Sequence, residues 1–482
     1  MEEIKKEMKV GDDYFDSADF QRLLSTYEKS INAGEPVFMD ADELTDIADY
    51  YQYTERLDEA EKAISLALSL SPGAVAPLTY RIHEALYNGD TQKAWQLLDQ
   101  IIETSEPDYI YDRAEILINE DKVDEAEQYL NSILETIEDE EERQDFIMDV
   151  VGIFSDNGLP DKTLEWMTKG HQENTTAYKE LMARSLFEME KFDESAKIFN
   201  QLVDSDPFSC RYWTALASAQ FMNGEYSESV QSSEYAIAID PNDPNAQLAK
   251  ASALMRLENF EESLKFYERY LEQEPDDDEA LARKGYCLTR LGRNEEAISV
   301  MRQAADIMPA DSPNLVKIYE EMAFILMDMG RTDEAIAELD KTNDLDCDHN
   351  DINIVKGHIL LTGKRAKEAK YYFAQGLLYS DDKYHAFIKI VVSLIENKFV
   401  EQAYDLLKEL FSQYNEEDNG GYAYMAFCCR ALKKYEEYLE YLELACVRNP
   451  KECKEVLGDY FPNDVPPEEY YNYTVEEIKK RQ

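Results

Sequence analysis

A fixed period constrains this chain more than any other feature. Prolines stand at Pro207, Pro241, Pro275 and Pro309, each 34 residues after the last. Twelve residues before each is a small side chain: Ser195, Ser229, Ser263 and Ala297. Three residues earlier again are Phe192, Tyr226, Phe260 and Asn294. Proline cannot continue a helix, so it closes one unit and opens the next. A small residue allows two helices to approach closely. Such a unit is a helix–turn–helix that cannot bury its apolar face alone, so copies must stack into a solenoid. A chain of 482 residues then needs no single central core, and length alone does not divide it into globular domains.

The apolar spacing agrees. The first full unit begins near Ala41, with Leu44, Ile47, Ala48 and Tyr51 on one face of its first helix. Leu57, Ala60, Ile64 and Ala67 line the second, which closes at Pro72. Steps of three and four are what one-sided burial of an α-helix requires. The small position recurs at Ala94, Ala126, Thr163, Ser195, Ser229, Ser263, Ala297, Ala335, Ala369 and Ala403, and gives way to Tyr438 in the last unit. This marks about twelve units, starting near residues 41, 75, 107, 144, 176, 210, 244, 278, 316, 350, 384 and 419. Two intervals are longer. They hold IEDEEERQ at 137–144 and PADSPN at 309–314, whose composition predicts surface loop insertions.

Residues 1–17 are polar and acidic. Residues 18–33 place Phe20, Leu23, Leu24 and Tyr27 on one face before Gly34, which predicts a capping helix. After the repeats, KECKEVLGDYF fits a solvating end helix. Beyond it, Tyr470, Tyr471 and Tyr473 alternate with proline and acid, either as a partly ordered tail or as a segment folded back onto the solenoid. The expected organisation is 1–40, an acidic segment and capping helix; 41–312, about eight repeats; 313–450, about four; and 451–482, a C-terminal capping helix and an aromatic, acidic tail.

Charge narrows the partners. Lys+Arg is 49 and Asp+Glu is 102, a formal net charge of −53. Nucleic acid and anionic membrane surfaces repel such a chain. No apolar run approaches the ~18 residues of a membrane helix. MEEIKKEMKV lacks the apolar stretch of a secretory signal. The seven cysteines are odd in number and show no CxxC pair. Together these lead to an expectation of reduced thiols in a cytoplasmic protein.

Position by position, the units resemble the tetratricopeptide repeat. Residues 210–243 carry its pattern most fully: Trp213, Leu216, Ala217, Gly224, Tyr226, Ser229, Ala236 and Pro241. Residues 278–311 follow with Leu281, Gly285, Leu288, Gly292, Ala297, Ala304 and Pro309. The 144–175 unit departs, with Pro160 and Gly170 at positions that normally hold Tyr and a small residue. The resemblance covers about 41–450. It implies an all-α, right-handed superhelical solenoid of about twelve units. It also implies a non-enzymatic scaffold or adaptor that holds peptide segments in a concave groove. An alternative is a peptide sensor or chaperone-like factor whose superhelix changes pitch on binding.

In that family, positions 2, 5, 9, 12 and 13 of each unit face the groove. Carried over to 176–349, they give Arg184, Phe187, Arg211, Phe221, Met222, Met255, Arg256, Tyr286, Arg290, Lys317, Phe324 and Met327. Glu180, Glu188, Glu279, Glu320 and Asp328 balance the five cations, so these groove positions are neutral in a strongly acidic chain. Arginine, aromatics and methionine are the residues of binding hot spots and adaptable grooves. From 350 to 450 the same positions are apolar: Ile354, Leu361, Ile388, Val392, Ile395 and Phe427, with His358 among them. An open face of this kind needs a cover, which could be the aromatic tail, a second copy or a client. The Lys and Asn of the family's carboxylate clamp are missing; Thr45 and Asp49, and Thr79 and His83, stand there instead.

No catalytic motif is present. Gly420–Gly421 lacks a following Lys-Ser/Thr, and there is no GxSxG or HExxH. In 344–350, His349 and Val355 occupy positions where a calcium loop needs Gly and Glu. His83, His171, His349, His358 and His385 are scattered, so neither metal nor cofactor is expected.

Overall fold

The computed structural model describes residues 12–170, 175–380, 382–413 and 420–481. The first eleven residues of the acidic N-terminal segment, and His171, lie outside this range. Every element among the described residues is helical, and the fold is an all-α array of helix–turn–helix repeats. The chain divides into two compact units, Met1–Pro241 and Asn242–Gln482.

After a short helical turn at Asp12–Phe15, the first unit continues with α1 (Ala18–Ala33), closed by Gly34 at φ 67°. Pairs follow: α2 and α3 (Ala41–Tyr53, Leu57–Leu70), α4 and α5 (Val75–Tyr87, Thr91–Leu98), and α6 and α7 (Pro107–Asn119, Val123–Leu134). Next come α8 and α9 (Glu140–Asp156, Pro160–Met167), α10 and α11 (Thr176–Glu188, Phe192–Ser205), and α12 and α13 (Cys210–Met222, Tyr226–Ile239). Leu44, Ile47, Ala48 and Tyr51 are buried with Ala60, Ile64 and Ala67, as their spacing requires. Leu57 is not: it is the first residue of α3 and is exposed.

The acidic run at 137–144 is largely helix rather than loop. Asp139 accepts hydrogen bonds from the backbone N–H groups of Glu141 and Glu142, each at 3.0 Å. Glu140, Glu141 and Glu142 fill the first turn, where acids complement the helix dipole. The added residues lengthen α8 to 17 residues, against 13 in α12.

The second unit repeats the plan: α14 and α15 (Pro244–Arg256, Phe260–Gln273), α16 and α17 (Asp278–Arg290, Asn294–Ile307), and α18 and α19 (Pro313–Asp328, Thr332–Asp340). Then come α20 and α21 (His349–Thr362, Ala366–Tyr379), α22 and α23 (Lys383–Glu396, Val400–Gln413), and α24 and α25 (Tyr422–Ala431, Tyr435–Arg448). The 309–314 run is also partly absorbed. Ser312 caps Asn314 N–H at 3.3 Å, and Pro313 starts a helix of 16 residues. The chain ends in α26 (Pro450–Leu457) and α27 (Tyr470–Arg481). Phe461 stacks on Tyr470 with centroids 3.8 Å apart, and both rings are buried in the core that α25 and α26 share.

The periodic small residues sit where each pair closes. Ser195, Ser229 and Ser263 are fully buried. Each donates its hydroxyl to a carbonyl of the helix opposite: Ala183, Ala217 and Ala251, at 2.7, 2.8 and 2.7 Å. The turn inside each pair passes through the left-handed region. Gly224 adopts φ 82° without strain, and Glu190 is held at φ 59° in the preceding repeat.

Candidate functional site: the walls of first helices

In each unit the first helices of successive pairs stand side by side. Polar contacts bind neighbours: Tyr111 Oη to Asp149 at 2.6 Å and Tyr212 Oη to Glu180 at 3.2 Å in the first unit. In the second unit, Arg283 donates to Ser252 Oγ at 3.1 Å and Lys389 to Asp351 at 2.5 Å. These contacts join neighbouring first helices into stretches of wall.

In the first unit Arg184, Arg211 and Met222 are exposed, while Phe187 and Phe221 are half-buried. Arg211 forms an ion pair with Glu180. Phe187 packs edge-on against Phe192 at 5.3 Å, and Phe221 lies 5.6 Å from Tyr226. These two aromatics therefore lean onto the turn of their own pair.

In the second unit Arg256, Tyr286, Arg290, Lys317 and Phe324 are exposed, and Met255 and Met327 are half-buried. Arg290 lies 4.8 Å over the Phe260 ring and donates to Tyr286 Oη at 3.0 Å. These two contacts hold the guanidinium in place while the residue stays exposed. Glu279 pairs with Arg283 along its own helix. Burial, then Asp351 and Glu321, push the Glu320 carboxyl above its usual range, and Lys389 pulls it back in part.

The apolar stretch from 350 onward is less open than its spacing predicts. Ile354 and Leu361 are buried, in one core cluster with Phe373 and Ile390. Ile388 and Ile395 are half-buried against the last repeats, and Val392 is half-buried. Phe427 meets Tyr460 at 6.3 Å, and Arg430 lies 3.8 Å over that tyrosine ring. The end of the capping segment thus reaches the far end of the stretch, while the tail tyrosines pack with the core of the last repeats. His358 accepts or donates at Ser393 Oγ, 3.0 Å away, and its ring lies 6.4 Å from Phe324.

One group was not singled out from the sequence. On the first unit's wall, His83 Nε2 lies 3.0 Å from Asp112 Oδ1 and 3.3 Å from Glu115 Oε2. Thr79 Oγ1 donates to Asp112 Oδ2 at 2.7 Å. Desolvation opposes the charge on His83, but the two carboxylates outweigh it and hold its pKa well above the usual range. Nearby, burial and then Asp46 push the Asp49 carboxyl up to about 6, with His83 pulling it down. Asp49, His83 and Glu115 occupy position 9 of three successive repeats. Extending the position-by-position reading to 41–143 would have exposed the row.

The fold and this arrangement define a helix-pair repeat protein with ordered side-chain walls. The family profile described as "Tetratricopeptide repeat" matches residues 181–244 and 248–312. Over those residues the chain carries tetratricopeptide repeats, helix-pair modules that stack into solenoids. Solved structures with similar folds include YrrB, titled a TPR protein with an unusual peptide-binding site. It is 15% identical, with 40% of this chain and 96% of that one aligned at a TM-score of 0.34. A tetratricopeptide repeat protein from Parabacteroides merdae is 14% identical over 52% of this chain and 98% of its own, at 0.38. MamA AMB-1 is 22% identical over 35% and 98%, at 0.32. These likenesses are partial, and the family assignment rests on the repeat sequence. No curated protein matches the chain. Among the described residues no helix is long and apolar enough to cross a membrane.

Proposed function

We propose that the chain is a non-catalytic scaffold that holds peptide segments of a partner protein against its walls of first helices. The supporting observation is the second unit's wall. Arg256, Tyr286, Arg290, Lys317 and Phe324 stay exposed on helices whose other faces are buried. Arg290 is preorganised on Phe260, so less side-chain entropy is lost when it meets a carboxylate. An extended or helical peptide combining acids with apolar side chains fits this wall.

The test begins with selection of peptides from a displayed library on the full chain. Acid-containing sequences are expected, with affinity falling about tenfold or more in Arg256→Glu/Arg290→Glu, the scale of a lost charge-assisted hydrogen bond. Selected peptides that bind the double variant as tightly as the parent would reject the assignment.

A further inference from the structure

We infer that His83, Asp112 and Glu115 form a binding site for one divalent transition-metal ion of the zinc class. The three side chains come from adjacent first helices, α4 and α6, and their ligand atoms all lie within 4.8 Å of one another. Metal–ligand bonds of about 2.0–2.2 Å place ligand atoms about 3.3–3.6 Å apart in a tetrahedral site and about 2.8–3.1 Å apart at cis octahedral positions. The observed separations from His83 Nε2, 3.0 and 3.3 Å, fall on these edges. The two edges to His83 therefore need only small side-chain adjustment to hold one ion.

The donor set and its support point the same way. An imidazole nitrogen with two carboxylate oxygens suits zinc and its neighbours better than magnesium or calcium, which take oxygen alone. Asp112 is only 1% exposed, and it is held from behind by the Thr79 hydroxyl, which leaves Oδ1 turned to His83. A buried carboxylate fixed by an outer hydrogen bond is how proteins orient a metal ligand. Glu115 is half-buried and His83 exposed, so an ion can enter from solvent. Charge adds to the case. Asp49, Asp108 and Asp156 couple electrostatically to this cluster, so Asp112 and Glu115 sit among further carboxylates. A divalent ion offsets such a concentration of carboxylates. Three protein ligands leave coordination positions for water or for a side chain of whatever lies on the wall.

The test is calorimetric titration of the chelator-stripped full chain with zinc chloride, in excess magnesium so that diffuse binding to the acidic surface is masked. Parent protein should take up one tightly bound zinc ion. His83→Gln and Glu115→Gln, both at accessible positions, should each bind it about 100-fold more weakly while keeping the parent circular dichroism. Cobalt added in place of zinc should give ligand-field absorption in the parent and not in His83→Gln. Absence of tight zinc binding in the parent overturns the inference. So does retention of parent affinity by either variant, which would place the metal elsewhere and leave His83 as an ion-pair partner.

Discussion

Glu338 on α19 is a buried carboxylate at 4% exposure, yet its environment keeps it ionised. Arg302 of the preceding pair reaches it at 2.5 and 3.1 Å, and Lys341 at 2.7 Å. Burial raises its pKa, but Lys341 and Arg302 outweigh that and hold it below the usual range. A carboxyl lowered in the folded state adds stability above the unfolded value of about 4.3, and that stability is lost as pH falls through the folded value. Glu338→Gln should therefore melt earlier at neutral pH, by about 1–2 kcal/mol, since solvent at Arg302 discounts the pair. The gap between variant and parent should begin to narrow as pH falls below the unfolded value; thermal melts across pH check this. The period placed Ala335 correctly but gave no sign of Glu338, because two long side chains from different repeats decide its role. The same holds at Asp112, where Thr79 and His83 come from another helix. The serine hydroxyls at 195, 229 and 263 looked only small in the sequence, and their bonds across the pair became visible with the fold.

Helix pairs close through positions where a side chain is missing. A Cβ on Gly357 of α20 would lie 2.4 Å from the Phe373 ring carbons, and one on Gly376 would lie 2.7 Å from Ile354 Cγ1. The approach at Gly376 seats Ile354 in the core and away from an open face. Gly357→Ala should cost about 1–3 kcal/mol, because a buried ring has to move. Gly152, inside α8, has nothing within 4 Å of a Cβ, so Gly152→Ala should gain up to about 1 kcal/mol from helix propensity. Urea unfolding distinguishes the two signs. At this scale the sequence was informative: proline, the small residue and the apolar spacing located nearly every helix. It misjudged the two acidic or polar insertions because composition alone does not reveal an N-cap. Asp139 and Ser312 turn those residues into the first turns of longer helices.

Across the whole molecule, two units of helix pairs together carry a net charge of −53. The second unit's wall nevertheless gathers Arg256, Arg290 and Lys317 with aromatics, while the first unit's wall gathers acids around His83. Uniform acidity would need no such sorting to keep a chain soluble, so the sorting suggests contact with specific ligands. The most direct measurement is hydrogen exchange of the full chain with and without a selected acidic peptide. The expected result is slowed exchange in the first helices α14, α16 and α18, with their partners α15, α17 and α19 unchanged. Protection confined to those second helices, or none anywhere on the walls, would contradict the claim that this face holds polypeptides.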